Sequence, residues 1–209
     1  MKWALGTGRC GTHSYAAQTG GLHEPKPAIL RAGEAWADER LGRRGDAYDD
    51  TAAILRTRAV LGAPCVADLH QSWAIDIIRE VDPEPSFVWL VRPPEELVRS
   101  MLGGNWWHPR NAAARHDETL WHPPGGWPED AARLDKITLY WRGVNEAIMR
   151  AWCDGTTEEW EVLTPDMLTK HVGAYPHAKP PLDAGDLGYI RLVTGDLWAE
   201  IQAGPLGAA

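Results

Sequence analysis

The chain begins with MKWALGTGRCGTHS (Met1–Ser14), a short apolar run followed at once by a glycine-rich turn. The run Lys2–Thr7 predicts a strand, and the residues from Thr12 onward predict that a helix follows the turn. In such a turn the backbone N–H groups converge on one point, which lies at the positive end of the helix dipole. We therefore interpret Gly6–Ser14 as a cradle for an anionic group. The alternative is a tight strand–helix turn that binds nothing.

The rest of the chain continues this alternation of strand and helix. Further strands are predicted at Cys65–Leu69, Ser86–Val91 and Trp160–Thr164, and SFVWLV (86–91) is the clearest because a strand buried on both faces needs a continuous apolar run. The predicted helices are Ala28–Leu41, Asp49–Leu61, one with Ser72 as its N-cap, one that starts at Pro93 and Pro94, a long one with the buried stripe Leu134, Ile137, Trp141, Val144, Ile148 and Trp152, and a short one from Pro165.

Strands that alternate with helices predict parallel βαβ units. We expect one α/β domain over residues 1–209, with three layers (α/β/α) and a central, mostly parallel sheet. Ligands of such sheets bind at the carboxyl ends of the strands, which is where the glycine-rich turn lies.

Composition limits the class of partner and the compartment. The 209 residues carry 21 Lys and Arg against 29 Asp and Glu, a net charge of −8, which argues against a nucleic-acid-binding surface. No window approaches the roughly 18 consecutive apolar residues of a membrane span. The start lacks the apolar run of a secretory signal, and Cys10, Cys65 and Cys153 are too scattered for a disulfide framework. We expect a cytoplasmic protein.

The spacing of the turn argues against two common phosphate loops. Gly6 and Gly11 have the GxxxxG spacing of a nucleoside-triphosphatase loop, but Thr12 and His13 stand where Lys and Ser or Thr should be. The lysine that reaches the terminal phosphates is therefore missing, and a kinase or GTPase interpretation is weakened. Cys10 suggests a phosphatase nucleophile, but its loop lacks the arginine at the far end, so we reject that interpretation.

Two motifs carry a resemblance to a known family. GTGRCGTHS (6–14) resembles the 5′-phosphosulfate loop of sulfotransferases, and FVWLVRPPEELVRSMLGGNWW (87–107) resembles their 3′-phosphate motif. That second motif is a strand, an arginine, a helix and a serine two turns into it, and Arg92 and Ser100 have the family's separation. Weaker similarity to bacterial members extends over Tyr140–Ile148 and Trp160–Leu168.

The resemblance implies a P-loop-like fold and the donor 3′-phosphoadenosine 5′-phosphosulfate (PAPS), with PAP as product and no metal. Arg9 would stabilise the charge that develops on the departing 5′-phosphate, and because arginine is a poor acid its role would be electrostatic. The remaining options are a nucleotide or small-molecule kinase and a non-catalytic nucleotide-binding protein. The implied donor-binding residues are Gly8, Arg9, Cys10, Gly11, Thr12, His13 and Ser14 in the cradle, and Arg92 and Ser100 at the 3′-phosphate.

The acceptor, a hydroxyl or amine of a small molecule, glycan or lipid, must lose a proton to a general base. Glu24 resembles the glutamate base of several bacterial and glycan-modifying members. His70 precedes Arg92 at the distance that the catalytic histidine of cytosolic members keeps. A histidine titrates near pH 6.5, whereas a glutamate base needs a pKa raised by burial. We favour Glu24 slightly over His70, and place His23 third.

Two further segments remain open at this level. Residues 105–128 are rich in Trp, His and Pro, and we interpret them as an acceptor-side loop or lid, with a loop packed on the core as the equal alternative. A metal site formed by the histidines of this loop is disfavoured by their irregular spacing. The basic stretch that includes Arg56 and Arg58 is by default a solvated face. Since the chain is short for the family, a homodimer that completes the acceptor pocket is a further hypothesis.

Overall fold

The computed structural model describes residues 1–25, 46–104, 106–108, 127, 130–154, 158–169 and 179–207. These residues form an α/β fold with a five-stranded sheet and six α-helices. The elements in chain order are β1 (Lys2–Gly6), α1 (Thr12–Thr19), β2 (Leu22–His23), α2 (Asp46–Ala59), β3 (Cys65–Ala67), α3 (Ile75–Val81), β4 (Ser86–Leu90), α4 (Pro94–Gly103), α5 (Arg133–Cys153), β5 (Glu159–Leu163) and α6 (Ala184–Ala203). Two 3₁₀ helices, Leu69–Trp73 and Pro165–Met167, follow β3 and β5.

All strand pairs of the sheet are parallel, as predicted, and the strand order is β2–β3–β1–β4–β5. β1 lies between β3 and β4, with Gly6 opposite Leu90 and Ala4 opposite Ala67. Because the strands are parallel, all their carboxyl ends lie along one edge of the sheet. The turns that follow β2, β3, β1 and β4 therefore lie side by side in that order.

Helices cover both faces of the sheet, as a three-layer arrangement requires. Trp3, Leu5, Phe87 and Trp89 belong to the larger core, with buried residues of α2, α3, α4, α5 and α6. The opposite face of the sheet carries smaller side chains, and they pack against Cys10, against Tyr15 and Ala16 of α1, and against Leu168. The small side chains of the sheet are Ala4, Cys65, Ala67, Val88 and Leu90. Alternate residues of one strand thus pack into different cores, as the period of two in a strand requires.

The long helix α5 carries the apolar stripe that the sequence predicted. Of its predicted stripe, Leu134 and Trp152 are partly buried, whereas Ile137, Trp141, Val144 and Ile148 are fully buried. The helix also buries a polar side chain, Asn145, whose Oδ1 accepts from Trp89 Nε1 at 3.0 Å and whose Nδ2 donates to the Trp141 carbonyl at 2.8 Å. A buried amide with both ends bonded fixes the helix against β4.

The predicted N-cap role of Ser72 is wrong. Ser72 lies inside the 3₁₀ helix, and α3 begins only at Ile75. The Ser72 hydroxyl instead accepts from the Gly6 N–H at 2.8 Å and donates to the Gly6 carbonyl at 3.0 Å. Asp68 is the residue that caps the 3₁₀ helix, and β3 ends at Ala67 for this reason. Ser72 therefore holds the end of β1 rather than the start of a helix.

Two elements were not predicted from the sequence, β2 and α6. The other strands and helices that can be compared lie within three residues of their predicted ends. The predicted helix Ala28–Leu41 lies outside the described residues, as does most of 105–128. In the described part of the chain no helix is both long and apolar enough to cross a membrane.

Candidate functional site

The glycine-rich loop after β1 contacts the segment after β4. Arg92 Nη1 donates to the Arg9 carbonyl at 2.8 Å, and Arg9 Nε donates to Ser100 Oγ at 3.2 Å. The contact follows from the sheet, because β1 and β4 are neighbours with Gly6 opposite Leu90. The three side chains that the sequence predicted to bind the donor from separate motifs therefore lie together at one edge of the sheet.

The backbone of the loop is left-handed at several positions. The φ angles are 63° at Gly8, 53° at Arg9 and 107° at Gly11. For Arg9 this conformation is strained, as is common where a site constrains the backbone. Gly11 is the N-cap of α1, and a Cβ there would lie 2.7 Å from Leu168 Cδ1. The start of α1 has neither a side-chain cap nor an acidic residue in its first turn, so its N–H groups suit an anion.

The other predicted cradle residues lie in different environments. The Cys10 side chain is fully buried in the smaller core, beneath the backbone of the loop. Thr12 and Ser14 are buried at the start of α1. The Thr12 hydroxyl lies 3.2 Å from His23 Nε2, and the His13 ring stacks on that of His23 with the centroids 4.7 Å apart. The start of α1 is thus attached to the end of β2.

Burial of Cys10 gives a testable contrast among the three cysteines. Burial raises the pKa of the Cys10 thiol to about 11, although backbone N–H groups lower it, and burial likewise raises the pKa of Cys65 to about 11. Cys153 is exposed. Because the thiolate is the reactive form, a thiol reagent at pH 8 should label only Cys153 in the folded chain and all three cysteines after unfolding. Mass spectrometry of the labelled peptides measures this, and fast labelling of Cys10 would contradict the buried loop.

Helix α5 holds both loops through two consecutive residues. The Tyr140 hydroxyl donates to the Thr7 carbonyl at 3.1 Å, and Trp141 Nε1 donates to the Arg92 carbonyl at 2.8 Å. The ring of Trp107 packs edge-on against that of Tyr140, with the centroids 5.2 Å apart. The sequence identified Trp141 only as a core residue. Its apolar stripe gave no sign of these polar contacts, since both are made at the ends of otherwise buried aromatic rings.

The end of α4 is also fixed from α5. Arg133 Nη2 donates to the carbonyls of Met101 at 3.1 Å and Leu102 at 2.9 Å, and its Nε donates to the Trp106 carbonyl. One guanidinium thus satisfies two carbonyls at the end of α4 and that of Trp106 in the segment 105–128. The interpretation of that segment as an acceptor-side loop or lid stays a prediction.

Glu24 follows β2 at the same edge of the sheet. Its φ angle is 44°, and its backbone N–H donates to the Ala67 carbonyl at 2.8 Å. The carboxylate lies 3.7 Å from His23 Nε2, and 43% of the Glu24 side chain is exposed. Burial lowers the pKa of His23, with the opposing charge of Glu24 acting as the next influence. The burial that a glutamate base needs is therefore not provided here.

His70 follows β3 and has a more defined environment. Its Nδ1 lies 2.7 Å from Asp68 Oδ1, and 14% of its side chain is exposed. The adjacent Leu69 packs beneath the cradle, since a Cβ on Gly8 would lie 3.1 Å from Leu69 Cδ2. His70 is thus held next to the loop by a hydrogen bond to a buried carboxylate.

A buried ion pair lies behind His70. Arg58 Nη1 is 2.8 Å from Asp68 Oδ2 and 3.0 Å from Gln71 Oε1, and Arg58 Nη2 donates to the Pro25 carbonyl at 2.8 Å. Burial alone would raise the pKa of Asp68, but the hydrogen bonds and charge of His70 and the charge of Arg58 lower it to about 2. Arg58 is 2% exposed, so the expectation that it lies on a solvated face is wrong.

The site has two sides, which follow from the strand order. Glu24 and His70 lie on the β2–β3 side of the cradle, and Arg92 lies on the β4 side.

No protein-family model matches the chain, and no curated protein is significantly similar to it. Within the described ranges, no group of three or more His, Cys, Asp or Glu side chains is placed to hold a metal ion.

Proposed function

We propose that the protein is a sulfotransferase that uses PAPS, with the P-loop-like fold of that family. The observation that carries the proposal is the pair of contacts from Arg92 to Arg9 and from Arg9 to Ser100. They bring the cradle for one anionic group beside the arginine and serine suited to a second one. A ligand with two phosphate-type groups matches this arrangement better than one with a single phosphate.

The donor chemistry of the residues fits such a ligand. Two guanidinium groups, a helix N-terminus without acidic residues and a buried hydroxyl lie at one edge of a protein whose net charge is −8. Guanidinium groups bind phosphate oxygens through pairs of N–H donors. Arg92 and Ser100 would hold the 3′-phosphate, and the backbone from Gly8 to Thr12 would hold the 5′-phosphosulfate.

The reaction requires little covalent chemistry from the protein itself. PAPS supplies the sulfuryl group, whose bond to the 5′-phosphate oxygen breaks as a bond to the acceptor oxygen or nitrogen forms. Arg9 would stabilise the charge that develops on the 5′-phosphate. A base on the β2–β3 side of the cradle would take the proton of the acceptor. Arg9 and the base therefore act on opposite ends of the transferred group.

Binding of PAP tests the donor class without knowledge of the acceptor. At about 100 times its dissociation constant, PAP should stabilise the folded chain by roughly 2.7 kcal/mol. For a domain of this size the melting temperature should then rise by roughly 5–11 °C. We expect Arg92→Ala to abolish this rise, because it removes both the 3′-phosphate contact and the bond to the Arg9 carbonyl. Thermal unfolding with PAP, and with ATP and Mg²⁺, measures both.

Arg150→Ala is the matched control, since Arg150 is an exposed arginine on α5 and should leave the shift unchanged. Stabilisation by ATP with Mg²⁺ but not by PAP would favour a kinase and overturn the proposal. Stabilisation by PAP without release of PAP from PAPS, across phenols, sugars and amines, would favour the non-catalytic nucleotide-binding alternative.

A further inference from the structure

We propose that Asp68, itself anchored by Arg58, fixes His70 with its proton on Nδ1, so that Nε2 of His70 is the atom that accepts the proton of the acceptor. This inference rests on the proposed function and chooses between the two candidate bases. Asp68 and Arg58 are positioning residues here, because they act through His70.

Asp68 makes more interactions than a helix cap requires. Its carboxylate is fully buried, accepts from the His70 backbone N–H at 2.9 Å and lies 2.7 Å from His70 Nδ1, while Arg58 Nη1 lies 2.8 Å from its other oxygen. Asp68 is the N-cap of the 3₁₀ helix, but capping alone requires one acceptor atom, which serine or asparagine supplies equally well. The contact with the ring and the ion pair with the guanidinium are two further interactions that capping does not explain.

Asp68 determines which nitrogen of the His70 ring carries the proton. An ionised carboxylate only accepts hydrogen bonds, so the ring nitrogen that faces it must carry a proton. Asp68 stays ionised, since its pKa is held at about 2. In a neutral imidazole with Nδ1–H, the lone pair that can accept a proton is on Nε2. Within the described part of the chain, Nε2 of His70 makes no hydrogen bond.

Glu24 lies in a more exposed environment than His70. The Glu24 side chain is 43% exposed, and its carboxylate lies 3.7 Å from His23 Nε2. His23 Nε2 is already within 3.2 Å of the Thr12 hydroxyl. Among the described residues no buried partner orients Glu24, whereas His70 has a fixed ring and a charge behind it that stabilises the imidazolium formed by proton transfer. Fixed orientation is what raises the efficiency of a general base.

The tautomer of His70 is measured directly by long-range ¹H–¹⁵N NMR of the folded wild-type chain above pH 8. The chain has eight histidines, so a His70→Gln spectrum assigns the signal. We expect a neutral ring with its proton on Nδ1. A proton on Nε2, or a ring protonated on both nitrogens, would overturn the proposal. This readout needs neither an acceptor nor turnover, and it is made on the unaltered protein.

The role of Asp68 is measured with Asp68→Asn. Asparagine removes the negative charge behind the ring in either orientation of its amide, and in one of them its NH₂ also faces Nδ1. We expect turnover of PAPS to fall about 100-fold or more, toward the 10²–10⁴ that a general base contributes. The shift in melting temperature with PAP should be unchanged, because Asp68 lies on the β3 side, away from Arg92.

Asp76→Asn is the matched control, since its carboxylate is 63% exposed on α3, and it should keep full turnover. Equal turnover in Asp68→Asn and wild type would overturn the proposal, even if the proposed function holds. Absence of any PAP shift in the wild type would instead remove the proposed function, while the tautomer of His70 would still be decided by NMR.

Discussion

Replacement of Arg58 by methionine should lower the free energy of unfolding by roughly 3–5 kcal/mol, the usual cost of leaving one member of a buried ion pair alone. Methionine keeps most of the apolar stem but removes the charge. The Asp68 carboxylate, which is fully buried, would then keep only His70 as its partner. Contacts to Gln71 and to the Pro25 carbonyl are lost as well. Urea unfolding at pH 7 measures the change.

Two variants make this result interpretable. Arg56→Met removes an exposed arginine from the same helix, α2, and should change the free energy by no more than about 0.5 kcal/mol. The double variant Arg58→Met with Asp68→Asn should recover part of the loss, because no charge is then buried without a partner. A single Arg58→Met variant as stable as Arg56→Met would show that the pair carries no net stabilisation.

The dependence on acid gives a second measure of the same pair. The pKa of Asp68 is about 2 in the folded chain, against an ordinary value of 3.8. The folded state therefore binds fewer protons than the unfolded state between these values, so the stabilisation is complete above about pH 4 and is lost as the pH falls toward 2. Without Arg58 the depression of the pKa is smaller, and this acid-dependent loss should shrink.

The ion pair also shows where prediction from the sequence stops. Arg9, Arg92 and Ser100 could be brought together in advance, because parallel strands place the turns that follow them on one edge of the sheet. Arg58 could not, since it belongs to a helix that precedes β3 and reads as part of a basic, solvated stretch. Only the tertiary structure brings this arginine to Asp68, Gln71 and the Pro25 carbonyl, which lie after β3 and β2. A local pattern does not encode that packing.

The two missed elements have similar causes. β2 has two residues, too few for any periodicity to be seen. α6 contains Gly185, Gly188 and Gly195, which lower helix propensity, and its apolar residues do not form one clear stripe. Its start is nevertheless marked in the sequence, because Asp183 and Asp186 form a reciprocal capping box. That spacing was the usable signal for a helix whose interior pattern is weak.

The remaining prediction concerns Arg9, whose replacement by alanine should lower the rate of sulfuryl transfer by about 10²–10³. Arg9 is in the left-handed region with a φ of 53°, its carbonyl accepts from Arg92, and its Nε donates to Ser100. The side chain is thus oriented before any ligand arrives, as preorganised electrostatic stabilisation requires. The charge it opposes is larger in the transition state than in the bound donor, so turnover should fall more than affinity.

Release of PAP from PAPS in the presence of phenols, sugars and amines measures turnover, and titration calorimetry with PAP measures affinity. Arg9→Lys keeps the charge but loses the planar pair of donors, so its turnover should lie between those of wild type and Arg9→Ala. Ser100→Ala separates orientation from charge, because it removes the partner of Nε while the guanidinium remains. A variant Arg9→Ala with weakened PAP binding but unchanged turnover would make Arg9 a binding residue and leave the developing charge to the N–H groups at the start of α1.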